Sequence, residues 1–312
     1  MKVVFMGTPD FAVPTLNALV DAGHEILCVV AQPDKPQGRG KKLLSPPTIQ
    51  RARELGLPIK QPRAVRRGPF VEWMKTCGAD VAIVIAYGRI LIPEILNAPT
   101  KGCINVHASL LPKYRGAAPI HWSIINGETT TGVCTMQMDE GMDTGDVLLR
   151  EETPIFPNET TAELWDRLAN IGANLLVKTL QDLDSITPVV QEHEAATYAP
   201  LITKDLGRID WKNTATTLHN LVRGCVSWPV AHCAFRGQTM KIWRSQVVEF
   251  DGDASVGTIV RTKPYPVVAT TSGGLELLEI QLPGKKRCDA TALVNGFQLD
   301  VGESLNFQLD ES

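Results

Sequence analysis

The sequence has no paired-cysteine motif and no metal-ligand motif. Its seven cysteines are scattered, with no C-x-x-C pair and none of the His/Cys spacings that bind zinc. An odd number of dispersed cysteines argues against a disulfide framework and is typical of reduced thiols. We therefore expect a cytoplasmic protein without structural zinc.

Long apolar runs are also missing. The N-terminal apolar stretch ends at Gly7-Thr8-Pro9-Asp10, which makes it far too short for a signal peptide or a membrane span. It is typical instead of a first β-strand, and no membrane partner is expected.

Excess charge of one sign is absent as well. The chain has 31 Lys and Arg against 34 Asp and Glu, a net charge of −3. General electrostatic attraction to nucleic acid is therefore excluded, and any such binding must use a local basic patch.

Two common catalytic signatures are lacking. Gly7 stands alone rather than in a G-x-G-x-x-G fingerprint, so a dinucleotide cofactor is not expected. Ser109 lies beside a Leu-Leu-Pro turn without the flanking glycines of a nucleophile elbow, and no Cys has that setting either.

What the sequence does have is an alternation of buried strands and helices. The predicted strands are Ile26 to Ala31, Val81 to Ala86, Ile104 to Val106, Thr130 to Met138 and Val147 to Ile155, and the predicted helices include Pro14 to Ala22 and Thr160 to Leu183. Alternation of this kind predicts a doubly wound, Rossmann-like α/β domain with a mostly parallel sheet, over residues 1–189.

The remainder of the chain has a different pattern. Residues 190–206 are polar and irregular, and we interpret them as a linker. Beyond them lie short β-rich runs separated by turn signals: Met240 to Val248, Gly257 to Val260, Val267 to Thr270 and Leu275 to Ile280. They predict a smaller all-β barrel over residues 207–312.

Polar residues at the end of one predicted strand indicate a catalytic site. Asn105 and His107 are two apart, so both side chains point to one face while Val106 points into packing. An amide and an imidazole can stabilise the oxygen of a carbonyl that becomes tetrahedral, and Asp143 could orient the imidazole. The trio predicts acyl-type transfer without a protein nucleophile. Singly, however, His107 could be a satisfied strand-end residue and Asp143 an Asx-turn residue.

A basic segment follows the second strand. Lys35 to Lys42 contains Arg39, Lys41 and Lys42 together with two glycines, which predicts an exposed loop. A solvated charged loop is the simpler interpretation. Its position on the rim that carries Asn105 favours contacts with phosphates of a large anionic substrate.

Several motifs together resemble one family. They are Gly7-Thr8-Pro9-Asp10-Phe11-Ala12, Gln32-Pro33-Asp34, Gly38-Arg39-Gly40-Lys41-Lys42, Asn105-Val106-His107 with Ser109-Leu110-Leu111-Pro112, Arg115-Gly116-Ala117-Ala118-Pro119-Ile120, and Gln137 through Asp146. The chain resembles the methionyl-tRNA formyltransferases over almost its whole length, including Trp228-Pro229 and Pro283-Gly284-Lys285-Lys286. The Asn-x-His and Ser-Leu-Leu-Pro motifs are shared with the wider formyltransferases that use 10-formyltetrahydrofolate.

The resemblance implies a reaction and its partners. A formyl group would pass from 10-formyltetrahydrofolate to the α-amino group of methionyl initiator tRNA, giving N-formylmethionyl-tRNA for translation initiation in a bacterial-type cytosol. No metal is implied. The C-terminal barrel would be OB-like and tRNA-binding, and Arg39, Lys41 and Lys42 would contact the tRNA.

The resemblance also implies a folate site. Ser109, Leu110, Leu111 and Pro112 would border the folate, and Ile85, Ala86, Tyr87 and Gly88 would form part of the pterin pocket. For Ile85 and Ala86, a role in the core is an equal alternative.

Two other functions remain open from the sequence. One is a formyltransferase that acts on a nucleotide-linked amino sugar, which shares the trio. The other is a non-catalytic folate- or RNA-binding protein in which the trio only lines a pocket.

Overall fold

The structure is a computed structural model that describes residues 1–37, 42–297 and 299–307. It divides into two compact units. The first contains Met1–Pro119, Thr130–Pro154 and Trp165–Pro200; the second contains Ile120–Thr129, Ile155–Leu164 and the chain from Leu201 onward.

The first part of the chain alternates strands and helices. The strands are β1 (Lys2–Gly7), β2 (Glu25–Val30), β3 (Lys35–Gln37), β4 (Lys42–Leu44), β5 (Ile59–Lys60), β6 (Val81–Ile85), β7 (Cys103–His107), β8 (Arg115–Gly116), β9 (Thr130–Gln137), β10 (Val147–Pro154) and β11 (Tyr198–Ala199). The helices are α1 (Val13–Asp21), α2 (Pro47–Glu54), α3 (Pro69–Thr76), α4 (Pro93–Leu96), α5 (Pro119–Ile125) and α6 (Thr161–Asp182).

Seven of these strands form one sheet in the order β10-β9-β7-β6-β1-β2-β5. The five strands from β7 to β5 are mutually parallel. Strand β9 runs antiparallel to β7, and β10 antiparallel to β9. The predicted Rossmann-like, mostly parallel sheet is confirmed, and the carboxyl ends of β1, β2, β6 and β7 lie along one rim.

Burial on both faces explains why these strands read as continuous apolar runs. Every residue of β6 and β7 is buried. On one face Val4, Met6 and Val84 pack in a core that includes Met74 of α3 and Ile95 of α4. Parallel strands need such helices on both faces, because crossover connections carry the chain over the sheet.

Helix α6 covers part of the sheet and begins with a capping box. Glu163 Oε2 accepts from the Thr160 N–H and hydroxyl, each at 2.8 Å, while the Glu163 N–H lies 3.4 Å from Thr160 Oγ1. These bonds lower the pKa of Glu163. Leu164, Leu168 and Leu176 are fully buried, as the helical spacing of the leucines predicts.

The second unit is built on an antiparallel sheet. Its elements are α7 (Ala215–Gly224), β12 (His232–Phe235), β13 (Gln238–Val248), β14 (Ile259–Arg261), β15 (Val267–Ala269), β16 (Gly274–Gln281), β17 (Cys288–Asp289) and α8 (Thr291–Phe297). The strand order is β12-β13-β16-β15-β14, with β17 beside β16. The core combines Trp211, Leu218, Met240, Ile242 and Leu275.

Helix α7 was not foreseen by the sequence analysis. Thr214 caps it by accepting the Thr217 N–H at 3.2 Å. Within the described ranges, no helix is both long enough and apolar enough to cross a membrane.

Candidate active site

Asn105 and His107 occupy the end of β7 and are 8% and 6% exposed. Val106 between them faces α6, where a β-carbon at Gly172 would lie 2.9 Å from Val106 Cγ1. The alternation of the strand therefore places the amide and the imidazole on one face and packs the valine on the other.

The ring of His107 is held by main chain. Its Nε2 lies 2.9 Å from the Tyr114 carbonyl oxygen, so Nε2 donates and Nδ1 is the nitrogen that faces the site. Tyr114 has a φ of 59°, and its N–H donates to Thr197 Oγ1 at 2.9 Å. The position of the Tyr114 carbonyl therefore depends on the segment that contains Thr197.

The carboxylate of Asp143 meets both groups. Its Oδ1 lies 3.4 Å from Asn105 Nδ2 and its Oδ2 lies 3.7 Å from His107 Nδ1. The Gly116 N–H donates to Oδ2 at 2.7 Å. The structure thus brings the three predicted catalytic side chains together, although β8, α5 and β9 separate Asp143 from β7 in sequence.

The loop that carries Asp143 has an Asx turn, but at a different residue. Asp139 Oδ1 accepts from the Gly141 N–H at 3.1 Å and from Thr144 Oγ1 at 2.6 Å. Asp143 itself has a left-handed φ of 54° and points its carboxylate toward β7. The turn is therefore closed by Asp139, which leaves the Asp143 carboxylate for the site.

The Ser-Leu-Leu-Pro segment follows β7 as a turn. Ser109 Oγ donates to the Lys113 carbonyl at 2.6 Å, so this hydroxyl is committed to the turn. Leu111 packs with Cys134, Met136 and Val147. Leu110 approaches β9 at Gly132, and Pro112 follows a cis peptide bond.

The residues after β6 divide between core and surface. Ile85 and Tyr87 are buried, at 0% and 1% exposure, whereas Ala86 and Gly88 are exposed. Ala86 has a left-handed φ of 45°. The Tyr87 carbonyl accepts from Thr8 Oγ1 and Gln32 Nε2, which joins the ends of β1, β2 and β6.

A cavity of about 190 Å³ opens beside Asp143. Its lining consists of Arg89, Ile90, Leu91, Met136, Met138 and residues 139–143. Apolar walls with one guanidinium and three carboxyl side chains at the edge suit a ring system with polar substituents.

At the two ends of the basic segment, β3 and β4 pair in antiparallel orientation, and we call this pair with the residues between them the basic hairpin. Arg39 and Lys41 lie outside the described residues, and Lys42 is the first residue of β4. Asp34 holds the base of the hairpin, since its carboxylate accepts from Gln61 Nε2 at 2.7 Å and from Ser45 Oγ at 3.0 Å. These hydrogen bonds, led by that from Gln61, lower the pKa of Asp34.

Sequence reasoning missed two buried residues of the site, Arg115 and Gln191. Gln191 donates to the carbonyls of Asp143 and Gly145, and Arg115 donates to Gln191 Oε1. Arg115 stands in one of the quoted motifs without an assigned role. No sequence pattern pointed to Gln191, because it lies in the stretch interpreted as a linker.

Neighbouring thiols are not nucleophiles. Burial raises the pKa of Cys103 to about 12 and that of Cys134 to about 11. Among the described residues, no group of three or more His, Cys, Asp or Glu side chains could hold a metal ion.

Comparison with known proteins places this geometry in a family. The formyl transferase family profile matches residues 1–180, and the profile of the formyl transferase C-terminal domain matches residues 201–298. The methionyl-tRNA formyltransferase of Solibacter usitatus is 50% identical over 307 residues, which cover 98% of each chain. That of Clostridioides difficile is 47% identical over 305 residues, covering 97% of this chain and 99% of the relative.

A solved structure shows the same fold at much lower identity. The N-formyltransferase from Helicobacter canadensis, in complex with folinic acid and dTDP-3-aminofucose, superposes with a TM-score of 0.67 at 19% identity over 89% of this chain and 98% of that chain. At such identity the likeness concerns the fold alone. The full-length similarity at 47–50% identity is decisive: this chain belongs to the formyl transferase family and, within it, to the methionyl-tRNA formyltransferases.

Proposed function

We propose that Asn105, His107 and Asp143 carry the transfer of a formyl group from 10-formyltetrahydrofolate to the α-amino group of methionyl initiator tRNA. The observation that supports this most directly is the convergence of the three side chains at the carboxyl end of β7, with Asp143 3.4 Å from the amide and 3.7 Å from the imidazole. Ligands of open α/β sheets bind at this end of the strands.

The first step is attack of the acceptor amine on the formyl carbon. The Ser109 hydroxyl is bound to the turn, and the neighbouring thiols hold their protons, so the amine attacks directly rather than through a protein-bound intermediate. A carbon–nitrogen bond forms and the formyl oxygen takes up negative charge.

Asn105 and His107 then stabilise that charge. Asn105 Nδ2 is a neutral N–H donor fixed on a strand, and a protonated His107 Nδ1 offers a second donor on the same face. Preorganised donors of this kind contribute about 3–4 kcal/mol each to transition-state stabilisation. Rigid placement on β7 is what preorganises them.

Asp143 and His107 transfer the proton from the attacking amine to N10 of the folate. The attacking amine loses one proton, and N10 of the folate gains one as the carbon–N10 bond breaks, so the sum is a formylated amine and tetrahydrofolate. Asp143 lies within reach of the imidazole and can exchange this proton with it, directly or through one water molecule.

The donor occupies the site beside the loop of Asp143. The cavity of about 190 Å³ is smaller than the about 300–1,000 Å³ typical of ligand pockets. We assign only the ring system of the folate to this cavity and the rest of the molecule to the rim beside it. The exposed backbone at Ala86 and Gly88 and the turn from Ser109 to Pro112 contribute to the borders of this site.

The acceptor is bound by the basic hairpin and by the C-terminal domain. Arg39, Lys41 and Lys42 supply positive charge for the phosphates of the tRNA, and residues 207–312 provide the OB-like tRNA-binding domain. Asp34 holds β3 and β4 near β5 through Ser45 and Gln61.

A panel of acceptors tests this function. Purified protein is incubated with 10-formyltetrahydrofolate and, in separate reactions, with methionyl-tRNA, an amino-sugar nucleotide and glycinamide ribonucleotide. We expect formyl only on methionyl-tRNA. Formylation of the amino sugar would support the alternative acceptor, and donor binding without transfer to any acceptor would support a binding protein.

A further inference from the structure

Gln191 is buried at 5% exposure beside the loop of Asp143. Its Nε2 donates to the Asp143 carbonyl at 3.0 Å and to the Gly145 carbonyl at 2.6 Å. One side-chain amide thus holds the backbone on both sides of Thr144. Both carbonyls lie in a loop, where no strand ladder fixes them.

Arg115 fixes the orientation of that amide. Its Nε and Nη2 donate to Gln191 Oε1 at 3.1 and 2.7 Å. Nη2 also lies 3.2 Å from His193 Nδ1, and Arg115 is 2% exposed. A guanidinium offers only donors, so it must face the amide oxygen, and the NH₂ group is then directed at the two carbonyls.

Main-chain pairing holds Arg115 and the segment of Gln191 side by side. Strand β8 pairs in parallel with β11, and the Arg115 N–H donates to the Thr197 carbonyl at 2.9 Å. The next residue, Gly116, donates to the Asp143 carboxylate at 2.7 Å. Strand β8 therefore acts on Asp143 twice, directly at the carboxylate and through Gln191 at the backbone.

The hydrogen bonds from Gly116 and Gln191 stabilise an unfavourable backbone conformation at Asp143. Asp143 has a φ of 54°, in the left-handed region that non-glycine residues seldom adopt. Such conformations persist when the surrounding structure determines them. Without the Gln191 amide, the loop can relax and the carboxylate can move away from Asn105 and His107.

We propose that Gln191 and Arg115 are positioning residues for Asp143. Neither touches the reacting atoms. Arg115 orients the Gln191 amide, and that amide fixes the loop so that the carboxylate faces the imidazole. The inference rests on the proposed function, because it assumes that Asp143 takes part in proton transfer.

Two replacements of Gln191 distinguish two roles of its side chain. One role is to donate to the carbonyls of the Asp143 loop, and the other is only to accept a hydrogen bond from Arg115. Gln191→Met removes both the donor and the acceptor at similar length. Gln191→Glu keeps an acceptor for Arg115 but places oxygen where Nε2 faced the two carbonyls. Gln181→Met, on the exposed face of α6, is the matched control.

We expect kcat for methionyl-tRNA formylation to fall about 10–100-fold in both Gln191 variants, with KM for methionyl-tRNA unchanged. The kcat–pH profile should change as well, because the displaced Asp143 carboxylate would leave the Gly116 N–H and the Asn105 amide, which now hydrogen-bond to it. The Gln181→Met variant should match wild type.

Wild-type kcat in Gln191→Glu would overturn the proposal, because the donor would then be unnecessary. A lowered kcat with an unmoved pH profile in both variants would also overturn it and indicate a structural role only. If one Gln191 variant does not fold, kcat and the kcat–pH profile of the other variant test the proposal. If the wild type itself does not formylate methionyl-tRNA, the proposed function fails instead.

Discussion

His219 Nδ1 lies 3.1 Å from Ser245 Oγ in the interior of the second unit. On the other side of the ring, Nε2 donates to the Pro157 carbonyl at 3.3 Å, so Nδ1 accepts from the serine and the imidazole is neutral. Burial is the main cause that lowers the pKa of His219 from its ordinary value of 6.5.

This histidine predicts an acid-sensitive second unit. Below pH 6.5, His219 binds a proton in the unfolded chain but stays neutral in the folded chain. The free energy of unfolding therefore falls as the pH falls below 6.5. Urea unfolding at about pH 8 and about pH 5.5 should show a smaller loss of stability in His219→Gln than in wild type. Glutamine keeps a donor for Pro157, so an equal loss in the two proteins would contradict the prediction.

Gly172 is predicted to accept no larger residue. A β-carbon there would lie 2.9 Å from Val106 Cγ1, so Gly172→Val forces α6 away from β7. Overpacking of this kind costs about 1–3 kcal/mol. Chemical denaturation measures the loss. Asn174→Val, exposed on the same helix, controls for the helix propensity of valine and should remain near wild type.

The proposed catalytic roles of Asn105 and His107 predict that their replacement lowers the rate of formyl transfer without weakening folate binding. Asn105→Ala and His107→Ala should each lower kcat by about 10²–10⁴, because an oxyanion donor or an acid–base group is lost. Single-turnover formylation measures the chemical step directly. Equilibrium binding of the folate serves as the control and should change little. Transfer at the wild-type rate in both variants would remove the trio from the mechanism.

The basic hairpin predicts that binding of methionyl-tRNA depends on salt concentration through Arg39 and Lys41. Arg39→Ala and Lys41→Ala should raise KM for methionyl-tRNA and leave KM for the folate unchanged. Each lost phosphate contact should reduce the slope of log affinity against log salt by about 1. Lys178→Ala removes the same charge from the exposed face of α6 and should behave as wild type. Unchanged tRNA kinetics in both hairpin variants would exclude this segment from acceptor binding.

The strands that carry the site were predictable because they are buried on both faces. Strand β6 is a continuous apolar run, β7 is apolar apart from Asn105 and His107, and the spacing of these two residues alone puts them on one face. Helix α7 escaped prediction because His219, Asn220 and Arg223 are polar yet buried, which blurs its apolar face.

The position of Gln191 could not be predicted for a different reason. It lies 48 residues from Asp143 along the chain, and their contact depends on the path of α6 and of the segment after it. No local pattern records such a path. The same holds for Arg115, whose buried partner is 76 residues away.

The pairing of β8 with β11 determines where the chain can be truncated without losing main-chain hydrogen bonds of the first unit. Beyond residue 189, the Thr197 carbonyl accepts from Arg115, and the Ala199 carbonyl accepts from Ala117 and Ala118. A fragment that stops near residue 189 would therefore lack β11 and leave the main-chain N–H groups of Arg115, Ala117 and Ala118 without these acceptors. A fragment that runs to Pro200 retains this pairing, so the residues between the two matched regions contribute to the structure of the first unit.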